Sequence, residues 1–270
     1  MNKPGRSAHF FATHPVFRRE TYVQAHTSRG RSRLTSKNLL AQHVASGRLV
    51  RVRGGLYAVV PTGTKPDDLQ LDPYLVASHL TDDAVVAYHA ALQFHGKAYS
   101  AWGRFHYLTR KRARAATFRG LEFVPVQVPS TGHSRIHGDL GVATVRHAGG
   151  TVRVTTLERT LVDVLDAPDK AGGWEEVWRS LELVEFFDLD AVISLVRRMG
   201  AAVTAPRVGF FLEQHREALM VEDRHLRALR RLAPKAPRYL SPSRESGKLV
   251  SPWNLVVPER VLSRSWQEVA

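Results

Sequence analysis

The chain has 270 residues, with 39 Lys and Arg against 25 Asp and Glu and a formal net charge of +14 at pH 7. The absence of cysteine excludes disulfides, thiolate nucleophiles and cysteine-ligated zinc. No apolar run approaches the roughly 18 residues of a membrane span, and the opening MNKPGRSAHFFATHPVF lacks a signal-peptide core, so a soluble, cytoplasmic protein of one large or two medium domains is expected.

The charge is unevenly spread. From Met1 to Val60 eleven basic residues face one acid, Glu20, a net +10, and the other 210 residues carry +4. A local excess of this size is an electrostatic footprint for a polyanion. Within it, His9 to Val16 reads as a short helix whose neighbouring aromatics Phe10, Phe11 and Phe17 pack under later elements. Phe17 to His26 reads as a second helix, with Tyr22 and Val23 inward. The basic turn Thr27 to Arg33 follows, where Arg29, Arg31 and Arg33 are placed to meet phosphates.

The stretch from Leu34 to Val60 reads as a helix and a tight ribbon. Thr35 and Ser36 are suited to cap the helix, since a hydroxyl accepts a free first-turn amide, and both are also candidate DNA contacts. Leu40 and Val44 are four apart and face inward, which turns Lys37, Asn38, Ala41 and Gln42 outward to phosphates and base edges. Gly47 ends the helix. Leu49 to Arg53 and Leu56 to Val60, joined by Gly54-Gly55, form a hairpin signal. Arg51 and Arg53 alternate with Val50 and Val52, which directs both to the solvent side, and Arg48 stands at the corner. A helix running into a basic hairpin is the second half of a winged helix-turn-helix, and the expected partner is double-stranded DNA.

Pro61 to Pro73 reads as a linker, separating a winged-helix domain over residues 1–60 from a larger mixed domain over 74–270. The expected fold class is therefore α+β. In the second part, Tyr74 to Leu80 and Val85 to His95 read as helices, Phe105 to Arg110 as a strand, and Phe118 to Val128 as an extended run that Pro125 marks as an edge. Ala143 to His147 and Thr151 to Thr155 read as a hairpin. Leu157 to Leu165, Trp174 to Val184, Leu189 to Met199, Val208 to Leu219 and Glu222 to Leu232 read as helices. Arg104, Arg110, Lys111, Arg112 and Arg114 form a candidate second basic surface, and a third basic cluster, from Arg224 to Arg238, reads as a solvated face.

Catalytic signatures are missing. There is no phosphate-binding P-loop and no Gly-x-Ser-x-Gly, and the strand around Glu122 lacks the lysine of a restriction-type nuclease site. His133, His137 and Asp139 have metal-ligand spacing but sit in a glycine-bounded loop, so no metal is expected there. His89 and His95 are six apart and read as packing or hydrogen-bonding residues. Arg159 and Asp163 read as an i,i+4 ion pair beside Glu158. No catalytic residue and no cofactor are expected.

Four segments resemble the AbiEi-type antitoxins, predicted regulators of abortive-infection operons. They are GRLVRVRGGLY at Gly47 to Tyr57, YHAALQFHG at Tyr88 to Gly96, VTTLERTLVD at Val154 to Asp163, and RVGFFLE at Arg207 to Glu213. The resemblance implies a two-domain antitoxin. Its N-terminal domain would repress its own operon at promoter inverted repeats, and its C-terminal domain would neutralise a nucleotidyltransferase-type toxin without a stable complex. The alternatives are a winged-helix-targeted nuclease or nucleotidyltransferase, and an RNA-binding module.

Overall fold

The computed structural model describes residues 6–28, 30, 32–128, 140–199, 202–241 and 243–267. Arg31, His133, His137 and Asp139 lie outside them. The fold is mixed α and β, as the sequence leads one to expect. The chain forms two interleaved compact units: one takes residues up to 86, 103–127 and 144–154, and the other takes 87–102, 128–143 and 155–270.

The first unit begins with helix α1 (Arg6–Thr13), strand β1 (Val16–Arg18), helix α2 (Arg19–Thr27) and helix α3 (Arg33–Ala45), then strands β2 (Leu49–Arg53) and β3 (Leu56–Val59). Phe17 opens no helix: it lies in β1, which pairs antiparallel with β3 at Phe17↔Tyr57 and completes a sheet of order β1-β3-β2. Phe10, Phe17, Tyr22, Leu40, Leu49 and Tyr57 form the core beneath this sheet, with Phe11 and Val44 packed against it. The rings meet both edge to face and stacked: Phe10 stands edge-on 5.2 Å from Tyr22 and 5.1 Å from Phe17, and Phe17 stacks on Tyr57 at 5.9 Å.

Residues 61–73 run inside the first unit, which does not divide there. The Arg119 guanidinium donates to the carbonyls of Pro66 and Leu69. Asp72 caps helix α4 (Pro73–His79) by accepting from the Leu75 amide, and its other oxygen accepts from His147 Nε2 at 2.7 Å. The proline-rich composition that resembles a linker here is a crossing tied to the first unit by these hydrogen bonds.

A six-stranded mixed sheet follows, of order β6-β7-β5-β4-β9-β8. Its strands are β4 (Val85–Val86), β5 (Arg104–Thr109), β6 (Ala116–Phe118), β7 (Leu121–Gln127), β8 (Val142–His147) and β9 (Gly150–Thr155). Val85 and Val86 therefore start no helix; an apolar run of this length fits strand or helix, and here it pairs with both β5 and β9. β7 is flanked by β5 and β6, yet β6 pairs only with residues 121–123, so among the described residues no strand pairs with the far side of Pro125. Proline is tolerated there because it has no amide to donate. β8 turns into β9 through Ala148 and Gly149, both at positive φ, the requirement of a type I′ turn.

The second unit packs helices α5 (His89–Phe94), α6 (Leu157–Asp166), α7 (Trp174–Glu182), α8 (Leu189–Met199), α9 (Thr204–Gln214) and α10 (Asp223–Arg230). It ends in a small sheet of β10 (Arg238–Tyr239), β11 (Lys248–Val250) and β12 (Leu255–Val257), and a last helix, α11 (Glu259–Leu262). Trp178, Trp253, Phe211 and Leu229 fill its interior. Gly209 is required by contact, since a Cβ there would overlap the Trp253 ring. No helix of the described residues is long and apolar enough to cross a membrane.

Candidate nucleic-acid interface

Helix α3 starts one turn earlier than Thr35 and Ser36 suggest. Ser32 is the N-cap: its backbone is extended and its Oγ accepts from the Thr35 amide at 3.0 Å. Thr35 then lies in the first turn, exposed, with its hydroxyl 2.8 Å from the Ser32 hydroxyl. Ser36 is fully buried and donates back to the Ser32 carbonyl at 3.0 Å, so it cannot reach a ligand and leaves the set of contact residues.

The rest of the helix presents one outward stripe. Leu40 is buried, whereas Arg33, Leu34, Lys37, Asn38, Ala41 and Gln42 are exposed. Leu34 was not anticipated; it is 69% exposed, an apolar side chain standing among polar ones. Gly47 closes the helix at φ +71°, with its own amide donating to Val44 and the Arg48 amide donating to His43, the double bond of a Schellman ending. This ending aims the chain into β2.

The hairpin expected at Gly54-Gly55 forms, with Arg53 paired to Leu56 across the turn. The two arginines of β2 nevertheless differ. Arg51 is exposed, its guanidinium 5.9 Å from the Tyr57 ring centre. An irregularity between Arg51 and Arg53 breaks the strict alternation, and Arg53 is only half-exposed, donating to the Arg114 carbonyl at 2.9 Å. Arg53 is thus tied down within the first unit. Arg48 is exposed at the corner.

Arg33, Lys37, Arg48 and Arg51 have no carboxylate partner among the described residues; Glu20, the one acid of residues 1–60, is engaged by Arg18 and Arg19. A groove of about 400 Å³ runs between α2 and α3, lined by Arg19, Glu20 and Gln24 on one side and Arg33 and Lys37 on the other. The contribution of α2 could have been read from Arg18-Arg19, a basic pair at a helix start. Below this surface, His43 stands 5.0 Å from Phe11. Burial, then the charge of Arg48, holds its pKa below the ordinary 6.5.

The second basic surface separates into parts. Arg104, at the start of β5, is ion-paired to Glu122 at 2.7 Å. The others follow the opposite end of that strand, roughly 17 Å away at 3.3 Å per residue. There, Asp83 accepts from Thr109 Oγ1 at 2.6 Å and from the Arg110 amide at 2.8 Å, and pairs with the Arg110 side chain at 3.6 Å. Burial raises the Asp83 pKa, but these hydrogen bonds outweigh it and the net shift is downward. Lys111 stands 3.6 Å from Asp82; Arg112 and Arg114 are exposed.

In the second unit the chemistry-bearing side chains are buried in pairs. Arg159 Nε donates to Asp163 Oδ1 at 2.8 Å, both fully enclosed, while Glu158 accepts from the Asp188 amide. His89 donates to Glu176 at 2.9 Å and stacks on Trp102 at 4.1 Å; His95 donates to the Thr155 carbonyl at 2.7 Å. Arg207 spends its guanidinium on the carbonyls of Asp166 and Leu240. Of the basic cluster near α10, Arg224 pairs with Asp190 and Glu222, and Arg230 with Glu213.

These features define an α+β protein with an exposed, unpaired basic face on a helix and hairpin. Its fold is similar to that of the RV2827C protein from Mycobacterium tuberculosis: that crystal structure matches with a TM-score of 0.60 at 19% identity, over 97% of this chain and 94% of that one. No family model and no curated protein matches the chain.

Proposed function

We propose that residues 6–60 are a winged helix-turn-helix and that the protein is a cytoplasmic, DNA-binding repressor of its own operon, the antitoxin of an AbiEi-type pair. The observation that carries the reading is the set of Arg33, Lys37, Arg48 and Arg51, exposed along α3 and the hairpin it enters and, among the described residues, without carboxylate partners. On this reading α3 enters the major groove. Asn38 and Gln42 read base edges there, Ala41 lets the helix backbone approach, and Thr35, Lys37, Arg48 and Arg51 meet phosphates. Inverted repeats in the promoter are the target. The protein is not itself an enzyme; the buried pairing of Arg159 with Asp163 and of His89 with Glu176 supports a structural second unit. The toxin is of nucleotidyltransferase type and is neutralised without a stable complex.

Base-reading and phosphate-gripping variants separate the roles. Asn38→Ala or Gln42→Ala costs about 1–3 kcal/mol of discrimination at one base pair. Arg51→Ala weakens binding to every sequence and lowers the salt slope by about 0.9. A mobility-shift titration in which neither class of variant changes binding overturns α3 as the reading helix. Co-expression with the product of a neighbouring nucleotidyltransferase-type gene tests the antitoxin role: growth is restored by the full chain and not by residues 1–60 alone.

A further inference from the structure

Two basic segments that lie some sixty residues apart in sequence meet in the first unit. The hairpin turn Gly54-Gly55 and the loop 111–113 after β5 enclose a cavity of about 380 Å³. Arg18, Arg53, Lys111 and Arg112 line it, against a single acid, Asp82. The walls are fixed from both sides. Arg53 Nη1 donates to the Arg114 carbonyl at 2.9 Å, and Arg18 Nη1 donates to the Leu80 carbonyl at 2.9 Å. Thr109 and the Arg110 amide bind Asp83, and the Lys111 amide donates to Thr109 Oγ1 at 3.1 Å, so the loop leaves the sheet in one direction.

The chemistry of the cavity is that of an oxyanion site. Two guanidiniums held by carbonyls keep further N–H donors for a guest, with Arg18 Nε also 3.8 Å from the exposed carboxylate of Glu20, and Arg112 has no carboxylate partner among the described residues. Lys111 shares its charge with an Asp82 that is 63% exposed, a pair that solvent screens and an anion can displace. Neither glycine of the turn has a neighbour within 4 Å of where a Cβ would stand, so that rim is open. The turn belongs to the same hairpin whose Arg51 faces outward, which places the cavity at the end of the proposed DNA-binding hairpin.

We infer that this cavity seats a DNA backbone phosphate, so that the loop 111–113 extends the phosphate grip of the hairpin beyond the helix-turn-helix. The inference rests on the DNA-binding reading and adds to it the residues Lys111 and Arg112. Each neutralised phosphate releases condensed counterions, and one further phosphate, held by Lys111 and Arg112 together, raises the dependence of log affinity on log salt by about 0.9.

The test is a fluorescence-anisotropy titration of the full chain with the duplex upstream of its gene and a shuffled duplex, over a fourfold rise in salt. For Lys111→Ala/Arg112→Ala the slope falls by about 0.9 on both duplexes, so the variant loses about 3.5-fold less affinity across the series than the wild type. Arg112→Ala alone gives about half that change in slope. Arg104→Ala, ion-paired at the far end of β5, gives none. All three positions are exposed, and unchanged melting curves confirm intact folds. A steep wild-type slope that the double variant leaves unchanged overturns the inference while DNA binding stands. Thermal stabilisation by inorganic phosphate that the double variant loses, with the DNA slope unchanged, overturns it in favour of a free-phosphate site. Absence of wild-type DNA binding overturns the DNA-binding reading and this inference with it.

Discussion

The two ends of the chain treat arginine in opposite ways. On the helix–hairpin face, Arg33, Arg48 and Arg51 stand in solvent without carboxylate partners among the described residues. In the second unit, Arg159, Arg179, Arg224, Arg230 and Arg260 are each paired to an acid at 3.0 Å or less. The same residue type therefore serves two physical ends. Where carboxylates are scarce, the positive field reaches outward and is available to a polyanion; where acids are interleaved, the charge is spent on internal order. On the proposed function the +10 of residues 1–60 is left available to a polyanion, whereas these five arginines of the second unit contribute to its internal order.

If that division is right, removing charge has different consequences in the two places. The largest effect falls on the buried pair. Asp163→Ala leaves the Arg159 guanidinium enclosed and uncompensated and costs about 3–5 kcal/mol, measured by urea unfolding. Replacing both, as Arg159→Met/Asp163→Leu, returns most of that loss, because two apolar side chains carry no desolvation cost. Arg51→Ala changes stability by no more than about 0.5 kcal/mol while weakening DNA binding. An equal loss of stability from Arg51→Ala and Asp163→Ala breaks the comparison.

Acid sharpens it with a smaller effect. Burial holds the pKa values of His43 and His79 below 6.5. Below 6.5 the unfolded chain takes up protons that the fold refuses, so the first unit loses stability as pH falls from that value. In the second unit, hydrogen bonds hold Glu176 and Glu182 below the ordinary 4.5: for Glu176 burial opposes them and they prevail, and for Glu182 the bond from His215 leads. Their contribution persists above 4.5 and is lost only as pH falls below it. Hydrogen exchange, corrected for its intrinsic pH dependence, should show residues 33–45 opening more readily at about pH 5.5 than at neutral pH, and His43→Gln/His79→Gln should flatten that change. Equal sensitivity in α6 over this range contradicts it.

Local chemistry was legible in the sequence, and long-range pairing was not. The hairpin at Gly54-Gly55, the closure at Gly47 and the bounds of α8 follow from turn residues and spacing, which act over a few positions. The cap was misplaced by three residues because Ser32, Thr35 and Ser36 are all hydroxyl residues, and only the extended backbone at Ser32 decides among them. Val85 to His95 reads as one helix because its apolar run carries no period; β4 exists only because β5 and β9 arrive from elsewhere to pair with it. The irregularity that turns Arg53 toward Arg114, and the filling of 61–73 by Arg119, likewise depend on residues far along the chain. Among the candidate contacts, Lys37, Asn38, Ala41 and Gln42 are exposed as expected from the Leu40–Val44 period and Arg51 as expected from its alternation with Val50 and Val52, and Ser36 is the one that the early cap buries.

The central claim is that the unpaired basic face reads specific DNA. The most direct measurement is a salt-series titration of the full chain against the duplex immediately upstream of its gene and a shuffled duplex of the same composition. The account predicts that both affinities fall steeply with salt, and that a preference for the upstream duplex survives near-physiological ionic strength. Equal affinity for the two, collapsing together as salt rises, would contradict it.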